Sequence, residues 1–225
     1  MKFSRIAKDF PSYGVASVLG KTLALILCLS SPAMAGQVTI LALGDSLTQG
    51  YGLPRQDGLV PQLQAWLEVE GEEVTLINGG VSGDTTAGGA RRVEWSLTPD
   101  VDGMMVILGG NDLLRGIDPA ITRRNLDEIL QVAAAKEVPV LLVGLRAHDN
   151  YGPAYKADFD ALYPDLAKAH AVQFFPYFFA GLGQGSPESF LPYFQRDAIH
   201  PNADGVRLIV RALGPAVQKL IQTIR

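Results

Sequence analysis

Five short apolar runs recur along this chain: Val38–Leu43, Val74–Ile77, Met104–Leu108, Val138–Leu145 and Val172–Phe175. A strand that reads as near-continuous Val, Ile and Leu must be covered on both faces, which is the mark of parallel pairing with crossover helices. The intervening segments supply those helices. Leu63, Trp66 and Leu67 fall at helical spacing within 59–69, a helix that Gly71 ends. Helices are also predicted near 86–97, over 119–136 with a stripe of Ile121, Leu126, Ile129, Leu130 and Ala133, near 154–170, and over 204–223. The fold predicted is a three-layer α/β/α domain around about five parallel strands in flavodoxin-like order. No repeat or linker divides residues 36–225, so one domain is expected there.

Residues 1–35 read differently. Lys2, Arg5, Lys8 and Lys21 form a basic leader, an apolar run covers Leu23–Leu29, and a small-residue site ends at Ala33-x-Ala35. This is the pattern of a secretory signal cleaved after Ala35, and the run falls far short of the roughly 20 apolar residues a membrane span needs. Removing it takes away four basic residues and Asp9, leaving 15 Lys and Arg against 22 Asp and Glu. It also removes Cys28, the single cysteine, which by itself already excludes a disulfide framework or a cysteine-based zinc site. An acidic, cysteine-free chain without Lys/Arg clusters argues against nucleic acid as a partner. Export, most simply to a bacterial periplasm, is the expectation, with no stable membrane anchor.

In open parallel sheets ligands bind beyond the carboxyl ends of the strands. Four polar, Gly-rich segments stand at or near that rim: Gly44-Asp45-Ser46-Leu47, Asn78 to Asp84, Gly109-Gly110-Asn111-Asp112, and Asp197-Ala-Ile-His200-Pro201-Asn202 before the closing helix. A serine hydroxyl needs a general base to act as a nucleophile, and His200 titrates in the useful range. Asp197, three residues earlier, can fix the imidazole tautomer. Acyl transfer also needs donors for an oxyanion, for which the Ser46 and Gly83 backbone amides and the Asn111 side chain are the candidates. Taken singly, each segment has a plain reading as turn or cap chemistry; their joint occurrence at strand ends carries the functional reading.

These four blocks, together with Gly109-Gly-Asn-Asp-Leu-Leu-Arg-Gly116 and Asn150-Tyr-Gly152, resemble the SGNH (GDSL-type) hydrolases over nearly all of residues 36–225. They are closest to the thioesterase I, lysophospholipase L1 and arylesterase branch. The resemblance implies a serine esterase of acyl or aryl esters, extending to thioesters and lysophospholipids. Ser46 would be the nucleophile, His200 the base and Asp197 its orienting acid, with Ser46, Gly83 and Asn111 as oxyanion hole. No metal or organic cofactor is implied, the partner is a small-molecule ester, and a monomer is expected. The sequence departs from the branch at Arg146-Ala-His148-Asp149, small and polar where an apolar acyl pocket is expected, which points away from long acyl chains. The aromatic run Phe174, Phe175, Tyr177, Phe178, Phe179 reads as packing or as an acyl or aryl contact surface. His170, at a predicted helix end, suits the helix dipole.

Two other readings stay open: a carbohydrate O-acetyl esterase, which the same blocks would serve, and a non-catalytic exported binding domain. The chain has no G-x-S-x-G, G-x-x-x-x-G-K-[ST] or H-E-x-x-H, so the α/β-hydrolase fold, P-loop and zinc-peptidase readings have no support.

Overall fold

The computed structural model describes residue 1, residues 37–183 and residues 187–225. The leader expected over 1–35 and its cleavage point lie outside the described residues.

Strand β1 (Val38–Gly44) leads into a short helix α1 (Ser46–Gln49) and then α2 (Leu59–Val69). Next come β2 (Val74–Gly80), α3 (Thr86–Ser96), β3 (Gly103–Ile107), a second short helix α4 (Gly110–Leu114) and α5 (Pro119–Ala135). The chain continues through β4 (Val140–Val143), α6 (Pro153–Ala169), β5 (Gln173–Phe175), the short α7 (Pro187–Phe190) and the long closing helix α8 (Ala203–Ile224). The five strands form one parallel sheet in the order β2-β1-β3-β4-β5. The fold is therefore the flavodoxin-like α/β arrangement expected.

The continuous apolar runs become the central strands for the reason given. Every residue of β3 and β4, and all of β1 except Thr39, is buried. Helices α2 and α8 pack on each other, and α5 packs against both α3 and α6. On α8 the buried Val206, Ile209, Val210, Leu213, Val217 and Leu220 follow the helical period, which gives that helix a firm apolar stripe. Caps set its start and that of α5: Asn202 Oδ1 accepts the Gly205 N–H, and Asp118, with Pro119 opening the helix, accepts the Ala120 N–H.

Strand boundaries differ from expectation in two places. Strand β2 runs on to Gly80 because Gly44 pairs with Gly80 at the end of its register, and the apolar pattern is silent about that glycine tail. The run Val138–Leu145 yields only a four-residue strand, flanked by irregular backbone.

The sheet order places β2 and β3 on opposite sides of β1. The carboxyl ends of β1 and β3 are then the switch point where a ligand crevice opens. Both lead into the two shortest early helices, and the turn after β3 is tightly specified. Gly109 has φ +116, and a Cβ there would lie 2.2 Å from the Tyr163 hydroxyl, which donates to Leu108 O at 2.9 Å. No other residue fits this turn.

Candidate active site

Strand β1 delivers Asp45 and Ser46 to the crevice. Asp45 is the N-cap of α1: its Oδ1 accepts the Leu47 N–H at 3.0 Å, so Ser46 opens the helix with its amide in the first, unbonded turn. Asp45 is almost fully buried, and its second oxygen accepts from Asn111 Nδ2 at 3.2 Å. Asn111 stands in the short helix α4 rather than in a turn. The buried carboxylate thus connects the ends of β1 and β3.

The second half of the site is the segment before α8. Asp197 Oδ1 accepts the backbone N–H groups of Ile199 and His200, both at 3.0 Å, and folds the segment into a turn with Ala198 in left-handed conformation (φ 55). The other oxygen, Oδ2, then lies 2.7 Å from His200 Nδ1, and His200 Nε2 lies 2.9 Å from Ser46 Oγ. A carboxylate has no proton to give, so Nδ1 donates to Asp197 and Nε2 accepts from the serine hydroxyl.

Two residues absent from the sequence reading complete the support. The Tyr51 ring lies 4.7 Å from the His200 ring, tilted by 41°. Gln195 Nε2 donates to Tyr51 O at 2.8 Å and to Pro201 O at 3.1 Å, and its backbone N–H donates to His200 O. This couples the loop after α1 to the histidine turn. Neither residue carries a local signal, because the contact spans 144 positions of chain.

Gly83 sits in the loop after β2 with φ +80, a conformation that favours glycine, while a Cβ there would meet only the end of Arg115 at 3.8 Å. Its carbonyl accepts from Arg115 Nη2 at 2.8 Å. The structure thus joins Ser46, His200 and Asp197 by direct hydrogen bonds and sets Asn111 on the same cavity wall, whereas Gly83 and Asp197 stand off that wall. Asp84, expected as a cap, pairs instead with Arg92 at 2.8 Å; Arg92 also donates to Gly79 O and Gly44 O and so ties the ends of β2 and β1 together. Asp112 is buried and accepts from Thr86 N–H and Oγ1, a structural role.

Two carboxyls are displaced from their ordinary value of 3.8. Burial pushes Asp45 up to about 6, against the opposing hydrogen bonds from Leu47 and Asn111. Asp197 also feels desolvation, but the bonds from the His200 ring and from the Ile199 and His200 amides outweigh it and hold the carboxyl at about 2. Asp45, having its folded value raised, costs stability as pH climbs from about 4 through about 6. Asp45→Asn keeps the cap and loses the buried charge. We expect it to melt above the wild type at pH 7, by up to about 3 kcal/mol, with the gap closing near pH 4. Thermal unfolding across this range checks it; a gap independent of pH would show that the carboxyl ionises normally.

The cavity in front of Ser46 measures about 510 Å³. Its wall includes Leu47, Leu113, Leu114, Leu145, Tyr177, Phe179, Leu182, Phe190, Leu191, Phe194 and Ile199, so it is mainly apolar. Of the polar segment after β4, Arg146 and His148 reach the wall while Ala147 between them is buried, and the aromatic run contributes Tyr177 and Phe179. Phe178 alternates away into the core. His170 caps the end of α6 and lies 2.6 Å from Asp127 Oδ1, so a hydrogen bond joins the expected helix-end placement. Among the described residues, no group of three or more His, Cys, Asp or Glu could hold a metal ion, and no helix is long and apolar enough to cross a membrane.

Residues 42–208 match the model of the GDSL-like lipase/acylhydrolase family. The chain is similar to the esterase TesA of Pseudomonas aeruginosa, with 35% identity over 92% of this chain and 99% of that protein. It is also similar to the thioesterase 1/protease 1/lysophospholipase L1 of Escherichia coli K12, with 33% identity over 88% and 91% respectively. Among solved structures, the SGNH-hydrolase family esterase AlinE4 superposes with a TM-score of 0.68 at 39% identity, covering 83% of this chain and 98% of that one.

Proposed function

The chain belongs to the GDSL-like lipase/acylhydrolase family, and on that premise we propose that it is a serine esterase of acyl and aryl esters, with activity on thioesters and lysophospholipids. The observation that carries the reading is the line of hydrogen bonds from Asp197 through His200 to Ser46, opening onto an apolar cavity. His200 takes the Ser46 hydroxyl proton as Oγ attacks the acyl carbonyl, and Asp197 stabilises the imidazolium that forms. The developing oxyanion is met by the Ser46 and Gly83 amides and by Asn111 Nδ2. Collapse breaks the bond to the alcohol or thiol, which leaves with the proton from His200. Water, deprotonated by His200 in its turn, then releases the acid and restores Ser46. Apolar walls favour hydrocarbon acyl or aryl groups over the sugar of a carbohydrate O-acetyl ester.

The test is hydrolysis of p-nitrophenyl esters from acetate to palmitate by residues 36–225. Turnover that extends past acetate into medium chains is expected from the cavity; silence across the series from folded protein would sink the reading. Asn111→Ala should lower kcat by about 10²–10³-fold with KM nearly unchanged, since the amide is needed only as charge develops. An equal loss in KM would instead make Asn111 a ground-state binding group. Asp45→Asn should also lower kcat, because an amide facing Asn111 turns the Asn111 carbonyl toward the oxyanion.

We further propose that residues 1–35 are removed on export to a bacterial periplasm. N-terminal sequencing of the periplasmic protein should start at Gly36; an intact Met1 in that fraction would contradict it.

A further inference from the structure

One feature of the cavity has no part in the mechanism above. Arg146 places a cation on a wall that is otherwise mainly apolar. Its Cζ lies 4.7 Å from the centroid of the Tyr177 ring, which also lines the cavity. A guanidinium held over an aromatic ring by a cation–π contact can still donate through its N–H groups to a planar anion. Among the described residues Arg146 forms no ion pair. Among the described residues, the one carboxylate in the cavity lining is Asp45, already occupied by Leu47 and Asn111, and Asp149 lies off the wall.

The backbone beside this arginine is held firmly. The buried Ala147 donates its N–H to Asp160 Oδ1 at 2.7 Å, and its carbonyl accepts from Lys156 Nζ. Lys156 and Asp160 pair with each other at 2.9 Å, so the Asp160 carboxylate is already matched by a cation other than Arg146. Arg146 is exposed, with its backbone neighbour Ala147 held in place and its guanidinium set over the Tyr177 ring. Ser46 follows β1 and Arg146 follows β4, with β3 between them. Two strand spacings separate their roots by about 10 Å, a span that a medium-length chain bridges.

Resting on the esterase reading, we propose that Arg146 forms an anion subsite, and that the preferred substrates carry a carboxylate at the end of the chain remote from the ester bond. That chain is either the acyl group or the alcohol, and the test separates the two. The acyl arm compares p-nitrophenyl hydrogen suberate with p-nitrophenyl octanoate. The alcohol arm compares acetoxyhexanoate, acetylated at its far end, with hexyl acetate, following acid release by titration. Each pair is assayed with the wild type and Arg146→Met, whose folding is checked by its melting temperature.

In at least one arm the wild type should favour the anionic ester, mainly through KM, and the variant should lose about tenfold of that ratio. The preference should also weaken with added salt in the wild type and not in the variant. Unchanged ratios in both arms, or an equal loss on neutral and anionic esters, would overturn the subsite while leaving the esterase reading intact. Absence of Ser46-dependent hydrolysis of the neutral esters would instead remove the esterase reading, and the subsite with it.

Discussion

Ser46→Ala is expected to lower kcat on p-nitrophenyl esters by about 10⁴–10⁶-fold, leaving only what binding and the oxyanion donors supply. The fold should not notice. Ser46 opens a four-residue helix, alanine suits that position, and among the described residues the only side-chain bond lost is the 2.9 Å contact with His200 Nε2. The Asp45 cap and the Asp45–Asn111 link remain. Melting temperature and circular dichroism should therefore match the wild type within about 0.5 kcal/mol. Residual activity above a tenth of the wild type would remove Ser46 from the chemistry, whatever the family pattern.

The second large effect is expected at Asp197. In Asp197→Asn, Oδ1 can still accept the Ile199 and His200 amides, so the turn through Ala198 survives. The other atom becomes an NH₂ that faces His200 Nδ1. The ring then accepts at Nδ1 and carries its proton on Nε2, where it cannot take one from Ser46. A loss of about 10³–10⁴-fold in kcat follows with stability nearly unchanged. Asp197→Ala should differ, because it also strips the turn of its two backbone bonds and lowers the melting temperature. Equal stability of the two variants would mean that the turn holds without the carboxylate.

The main architecture was legible in the chain because buried parallel strands have no polar face: β1, β3 and β4 read as unbroken apolar runs and are buried throughout, apart from Thr39. Asp197 and His200 were legible for a related reason, since their contact is three residues long and local. What the chain concealed is everything set by tertiary approach. Tyr51 reaches His200 from the loop after α1, and Gln195 bonds that loop across 144 positions. Asp45 looked like a simple turn residue, and only burial between β1 and β3 turns it into the group that orients Asn111. Arg92 carries no signal in the chain, because its partners, Asp84 in the loop after β2 and the Gly79 and Gly44 carbonyls at the strand ends, cannot be read from spacing. The polar segment Arg146–Asp149 supplies only part of the wall. The rest of the cavity's apolar character comes from residues such as Leu145, Tyr177 and Phe179, the last two brought in by tertiary packing.

The central claim is that Ser46 is the activated nucleophile, and a fluorophosphonate probe tests it without any assumption about substrate. Treated at neutral pH and digested, residues 36–225 should carry a single adduct on the peptide containing Ser46. Asp197→Asn should label far more slowly, and Ser46→Ala not at all. A folded protein that takes up no probe, or carries it on a serine other than Ser46, would contradict the account.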